Sequence, residues 1–131
     1  LEDVRDDREY AMKYLLLIYF NPATWDALSE DEHQQVFGGH AEFIKRLRES
    51  GEFVGTEALA DPSHSAAVRV RDGVPAVTDG PYVESKEFLA GYYLVDCETR
   101  QRAIELAAMI PDAAFSSIEV RPLMNQDGAD L

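Results

Sequence analysis

The chain of 131 residues holds one cysteine, Cys97. A single thiol excludes an intramolecular disulfide and is too little for a thiolate metal site. Its neighbours Asp96 and Glu98 disfavour a reactive thiolate, so Cys97 reads as a partly buried bystander. Long apolar runs are also missing: the longest, Tyr14 to Phe20, has the length of a strand and falls far short of the roughly 20 residues that span a membrane. No membrane partner is expected. Positive charge is scarce, with 12 Lys and Arg against 25 Asp and Glu and a net charge of −13. A phosphate backbone calls for basic residues on one face, so nucleic acid is not an expected partner either. There is no P-loop, GxGxxG, GxSxG elbow or HExxH, and therefore no sign of a nucleotide or other cofactor. Three scattered histidines make no metal set; carboxylate ligands remain the alternative.

What is present is enough for one domain. Forty-six per cent of the residues are hydrophobic, and the length suits a single core. A chain this small buries a modest share of its surface, so association would add stability. Part of the acidity sits at the ends. Residues 1–11 carry net −3 and residues 125–131 net −2, which leaves about −8 on the body and favours solubility. Residues 1–11 show no apolar periodicity and read as a mobile extension, 12–123 as the folded domain, and 124–131 as a polar tail. The charged, acidic start does not resemble a secretory signal, and a cytoplasmic location is expected.

Within the body, Lys13 to Phe20 reads as a strand apolar on both sides, with Tyr14, Leu16, Ile18 and Phe20 facing one way and Leu15, Leu17 and Tyr19 the other. Asn21-Pro22 ends it. Ser29 with Glu32 three residues on is a capping box and opens a helix to about Ser50, with Gly51 as its stop. Phe37, Ala41, Ile44 and Leu47 make the expected buried stripe. Gly38-Gly39 interrupts this helix, as a kink or as a place where another backbone comes close. Glu52 to Ala60 reads as a strand. Ser65 to Arg71 and Val74 to Thr78 form a hairpin around Asp72-Gly73. Ala90 to Asp96 is a further strand. Thr99 caps a second helix to Ile110 with Ala103, Ile104, Ala107 and Ala108 inward, and Ser116 to Leu123 is the last strand. Without the hairpin the order is βαββαβ, an α+β, ferredoxin-like pattern: an antiparallel sheet with two helices on one face. The uncovered sheet face is then expected to pair with a second copy in a homodimer.

The segment Thr78-Asp79-Gly80-Pro81-Tyr82-Val83-Glu84-Ser85-Lys86-Glu87, followed by Gly91-Tyr92-Tyr93, resembles the signature of the YCII-related family, in particular its DGPF branch. Tyr82 stands where phenylalanine is usual. The likeness continues into Ser117-Ile118-Glu119-Val120-Arg121-Pro122 and spans about residues 12–123. It implies a ferredoxin-like fold paired into a dimeric α/β barrel. Some YCII-related proteins are thought to use a histidine and an aspartate, and a relative that degrades chlorinated aromatics is an enzyme. Many DGPF-branch genes lie beside genes for extracytoplasmic-function sigma factors.

Of the three histidines, His33 and His64 read as surface residues. His40 follows the glycine pair near the buried edge of its helix, close to where the resemblance expects a histidine. It suits proton transfer near neutral pH, or else a structural bond to a backbone carbonyl. Asp79 belongs to a turn in which Asp bonds nearby backbone N–H groups, or alternatively orients His40 or holds a ligand. Arg69 and Arg71 share one face of the hairpin strand and could grip a small anion; pairing with surface acids is the plainer role. Tyr19, Tyr92 and Tyr93 could line a pocket or pack at an interface. Two functions follow. One is a small-molecule enzyme with His40 as base, Asp79 as its partner and an arginine as anion holder. The other is a non-catalytic dimeric binding or regulatory module, with a sigma factor as candidate partner.

Overall fold

The structure, a computed structural model, describes residues 12–83 and 85–124. Residues 1–11, most of the expected polar tail and Glu84 of the motif lie outside the described residues. β1, Met12–Phe20, is an inner strand of a four-stranded antiparallel sheet. After it Asn21 accepts a hydrogen bond from the Ala23 N–H and starts a short helix, α1, Pro22–Asp26, where the sequence suggested only a stop. Proline at the first helical position is preorganised for this turn. The capping box then forms as expected: Ser29 Oγ accepts from the Glu32 N–H and Glu32 accepts from the Ser29 N–H. It opens α2, Glu30–Ser50, whose first-turn acids Glu30, Asp31 and Glu32 sit at the positive end of the helix dipole. Gly51, with φ of 81°, adopts the left-handed conformation that closes the helix.

β2 (Phe53–Ala58), the hairpin strands β3 (Ala66–Arg71) and β4 (Val74–Asp79), and β5 (Phe88–Cys97) follow. α3, Arg100–Met109, is capped by the Thr99 hydroxyl, and β6 is Ser117–Pro122. The main sheet runs in the order β2-β5-β1-β6. This is the βαββαβ ferredoxin-like arrangement, with the first and third strands of the motif at the centre. Among the described residues no helix is long and apolar enough to cross a membrane.

The alternation along β1 divides as the sequence suggested. Tyr14, Leu16 and Ile18 enter the core under the helices, where they meet Tyr93 and Val95 of β5, Phe43 and Leu47 of α2, and Ala103, Leu106 and Ile110 around α3. Leu16, Leu47, Leu106, Ile110 and Val95 are fully buried, each such side chain contributing about 1.5–3 kcal/mol. Leu15, Leu17 and Tyr19 lie on the opposite side, paired across the strands with Leu94 and Tyr92 of β5 and with Arg121, Glu119 and Ser117 of β6. Cys97 is buried, and burial first, then the charges of Glu52 and Asp96, pushes its thiol up to about 11.

Both helical stripes sit slightly rotated from the expected ones. In α2 the inward residues are Val36, Phe43 and Leu47, while Phe37 and Ala41 are exposed. In α3 they are Ala103, Leu106 and Ala107. Leu47 and Ile44 of α2 and Ala103 and Ala107 of α3 pack inward as expected, so the faces are right at one edge and displaced at the other. The hairpin forms around Asp72 (φ 50°) and Gly73 (φ 78°), the pair of positive φ values that a two-residue turn demands. It makes a separate two-stranded sheet, and Val68, Val70, Val74 and Val77 on it are all exposed.

Candidate functional site

The rotation of α2 brings His40 onto the inward stripe, one turn from Val36 and one from Phe43. What it meets there is set by its neighbour. A Cβ on Gly39 would stand 2.6 Å from Pro111 Cγ, so glycine is what lets the Pro111–Ala114 3-10 turn lie directly on the helix. The same turn carries Asp112, whose carbonyl accepts from the N–H groups of Phe115 (3.1 Å) and Ser116 (2.8 Å). Asp112 is the one buried charged residue among the described residues, and its Oδ1 lies 2.5 Å from His40 Nε2. The other ring nitrogen, Nδ1, is 2.6 Å from the Tyr93 hydroxyl. An ionised carboxylate only accepts, so Nε2 carries the proton and donates to Asp112; Nδ1 then offers its lone pair to the Tyr93 O–H. Tyr93, His40 and Asp112 thus form one directed chain of hydrogen bonds.

Tyr93 comes from the centre of the sheet. Its ring lies nearly parallel to His40 (13° between planes) and packs edge-on against Phe43 at 4.9 Å. Burial, and secondly the charge of Asp112, push its phenol up to about 12, against a smaller opposing effect of the Thr56 hydroxyl. Near neutral pH it is therefore a neutral hydroxyl, able to donate and accept at once.

The three residues stand in the wall of a cavity of about 450 Å3 between α2, the loop bearing Asp112 and the β2–β5 edge of the sheet. Most of the wall is apolar: Ile18, Val36, Ala58, Phe20, Trp25 and Phe37 among others. Trp25 of α1 closes one side. Its indole lies 5.5 Å from Phe20, 5.7 Å from Phe37 and 6.1 Å from Phe115 between ring centres. His33 stacks on it at 4.0 Å and donates from Nε2 to the Trp25 carbonyl at 2.8 Å. His33, expected at the surface, is thus the clamp of α1. Phe37 is 57 % exposed yet belongs to this wall, which explains an aromatic residue outside the core stripe.

Of the residues singled out in the sequence, the structure brings His40 and Tyr93 together at this cavity; Tyr92 borders it through its strand, with its side chain on the Leu17 face. Asp79 ends β4 on the exposed hairpin, outside the cavity wall; the aspartate that meets His40 is Asp112. Arg69 and Arg71 are exposed on β3, where Arg69 donates to the Tyr82 hydroxyl at 3.3 Å. They line an open depression with Tyr82. Tyr19 lies on the opposite sheet face; partial burial, followed by a hydrogen bond to Glu119, raises its phenol. His64 is exposed. Asp112, Tyr93 as a bonding partner and Trp25 were not assigned these parts from sequence. A signal for the first existed: a lone acid just after Pro111, with a helix-interior glycine in search of whatever packs on it.

A ferredoxin-like domain with a buried carboxylate–histidine–tyrosine chain at an apolar cavity is the class of protein these features define. The chain belongs to the YCII-related domain family, whose model matches residues 12–126. It is also 32% identical over 114 residues to an uncharacterised protein of Rhizobium meliloti (strain 1021), covering 86% of this chain and 92% of that one.

Proposed function

We propose that this domain is a small-molecule enzyme that moves a proton on a compact organic substrate held in the cavity beside His40. The observation that carries the reading is the 2.5 Å contact between His40 Nε2 and Asp112 Oδ1 in the wall of a mostly apolar cavity. Asp112 fixes the ring and its tautomer, and it compensates the positive charge the ring gains. The accepting nitrogen is Nδ1, which Tyr93 occupies. A substrate proton therefore passes to the Tyr93 oxygen as the Tyr93 proton passes to Nδ1, leaving a neutral tyrosine and an imidazolium beside Asp112. Reversal returns the proton to another atom of the substrate, the pattern of an isomerisation or an elimination.

The test is solvent-deuterium exchange into a panel of carbon acids, both charged and neutral. Wild type should accelerate exchange into at least one member. His40→Asn should lower that rate by about 10²- to 10⁴-fold while keeping the circular-dichroism spectrum. Equal rates in wild type and variant for every accelerated compound would end the reading.

The working unit on this proposal is a homodimer closed over the Leu15, Leu17 and Tyr19 face. A second function is favoured by the hairpin, where Val68, Val70 and Val77 stand uncovered at 60–66 % exposure. An isolated two-stranded ribbon is marginal in water and calls for a partner. On that reading the dimer is a regulatory contact module, with a sigma factor of the kind the resemblance implies as its partner. Val68→Thr with Val77→Thr should then abolish partner binding without changing exchange catalysis.

A further inference from the structure

On the enzymatic reading above, the same cavity also selects what it admits. Among the described residues, no lysine or arginine lines it. The ionisable side chains that face it are Asp112, His40 and Tyr93; Glu57 and Tyr92, paired across β2 and β5, share the sheet face of Leu17 and border the cavity through their strands. Asp112 is buried and already committed to His40 Nε2. The arginines that the sequence offered as anion holders, Arg69 and Arg71, lie on the exposed hairpin. An anionic ligand would lose its hydration against an apolar wall, gain no cation there and face a carboxylate that is itself desolvated. The field of the whole chain, at net −13, adds to the rejection.

The wall also has a preferred shape of guest. Phe20, Trp25 and Phe37 supply aromatic faces, and a volume of about 450 Å3 lies at the lower part of the usual small-molecule range, about 300–1,000 Å3. That is room for a molecule of one or two rings. Gly91 belongs to this wall, and a Cβ on it would come within 2.8 Å of the Glu57 carbonyl, so the β2–β5 side of the cavity is drawn in tightly. The polar groups available to a ligand are the Tyr93–His40–Asp112 chain and Thr56, whose hydroxyl already donates to the Tyr92 carbonyl at 2.8 Å. One polar function on the guest is matched; a second, charged one is not.

We infer that the substrate class of this site is an uncharged, ring-sized apolar molecule bearing a single hydroxyl or carbonyl group, and that carboxylates of the same shape are excluded. The juxtaposition that carries this is a desolvated carboxylate and an aromatic wall, without a cation among the described residues.

Acetophenone and benzoate test it, since they differ mainly in a methyl group replaced by an anionic oxygen. Trp25 is the sole tryptophan, so its indole N–H gives one unambiguous NMR signal from the cavity wall. Titration of the full chain near neutral pH should shift that signal saturably with acetophenone, and at least about tenfold more weakly with benzoate. Raising salt to about 0.5 M screens the distant charges and leaves the wall unchanged, so the discrimination should persist. Benzoate binding as tightly as acetophenone would overturn the inference. So would failure of acetophenone to shift Trp25, or loss of the discrimination in salt. His40→Asn should retain acetophenone binding within a few-fold, because the wall is mostly apolar. Ligand preference and proton transfer therefore fail separately: a dead exchange assay leaves this binding result standing, and equal binding of the two probes leaves the exchange result standing.

Discussion

His40 donates to Asp112 and accepts from Tyr93, so each of the three residues has a distinct expected phenotype. Replacing His40 by Asn leaves a buried carboxylate short of a partner and should cost about 1–3 kcal/mol, read by urea denaturation. Tyr93→Phe keeps the ring in its contact with Phe43 and removes only the hydroxyl. Exchange should fall by about 10²-fold or more, with a smaller loss of stability. The alkaline behaviour follows from the phenol. Its folded value is raised from 10.0 to about 12, so the folded state keeps a proton that the unfolded state releases. Stability from this group is intact below pH 10 and is lost as pH rises through about 12. Denaturation curves at rising pH should therefore decline less steeply in Tyr93→Phe than in wild type; identical slopes would count against the buried, hydrogen-bonded hydroxyl. His40 was legible as a candidate because it sat beside a glycine pair near an apolar stripe. Its partner was not, because Asp112 lies 72 residues away along the chain and only the tertiary fold brings the two together.

Two adjacent glycines in α2 test the packing of that helix against the Pro111 turn. Nothing lies within 4 Å of a Cβ built on Gly38, whereas one on Gly39 meets Pro111 Cγ at 2.6 Å. Gly38→Ala should therefore stabilise the protein by up to about 1 kcal/mol, the helix-propensity gain. Gly39→Ala should destabilise it by about 1–3 kcal/mol, as overpacking does, and should also weaken the His40–Asp112 contact. Thermal unfolding of the pair gives opposite signs if the turn rests on the helix as described. At the other end of α2, Glu52 accepts two bonds from Arg102 of α3, both at 2.9 Å. The Arg102 guanidinium, then Ser50, hold the Glu52 carboxyl below its ordinary 4.5 against the opposing effect of burial. This stabilisation is present above pH 4.5 and is lost as pH falls through the depressed value, so Glu52→Gln should flatten the acid limb of the stability curve. The elements themselves were readable: capping residues, Gly51 and Asp72-Gly73 each enforce a local geometry wherever they occur. α1 was missed because its stability comes from the stacking of Trp25 on His33 and its aromatic neighbours, a tertiary effect that local propensity does not carry.

The molecule as a whole presents a sheet with helices on one side only and a hairpin that leaves its valines bare. On the homodimer proposal, light scattering across a concentration series should give twice the chain mass, and Leu15→Arg with Leu17→Glu should return the monomer. A wild-type monomer at high micromolar concentration would remove that part of the proposal. The ferredoxin-like order was legible because it needs only the sequence of elements and their periodicities. The site was half legible, since it is assembled where α1, α2, the Pro111 turn and two central strands converge. The decisive measurement is isotope-edited NMR of the histidine side chains, which reports tautomer and hydrogen bonding of His33, His40 and His64 separately. On this arrangement His40 should be protonated at Nε2 with Nδ1 accepting a hydrogen bond, Asp112→Ala should abolish the Nε2 preference, and Tyr93→Phe should release Nδ1. A His40 spectrum matching that of exposed His64, and unmoved by either substitution, would contradict it.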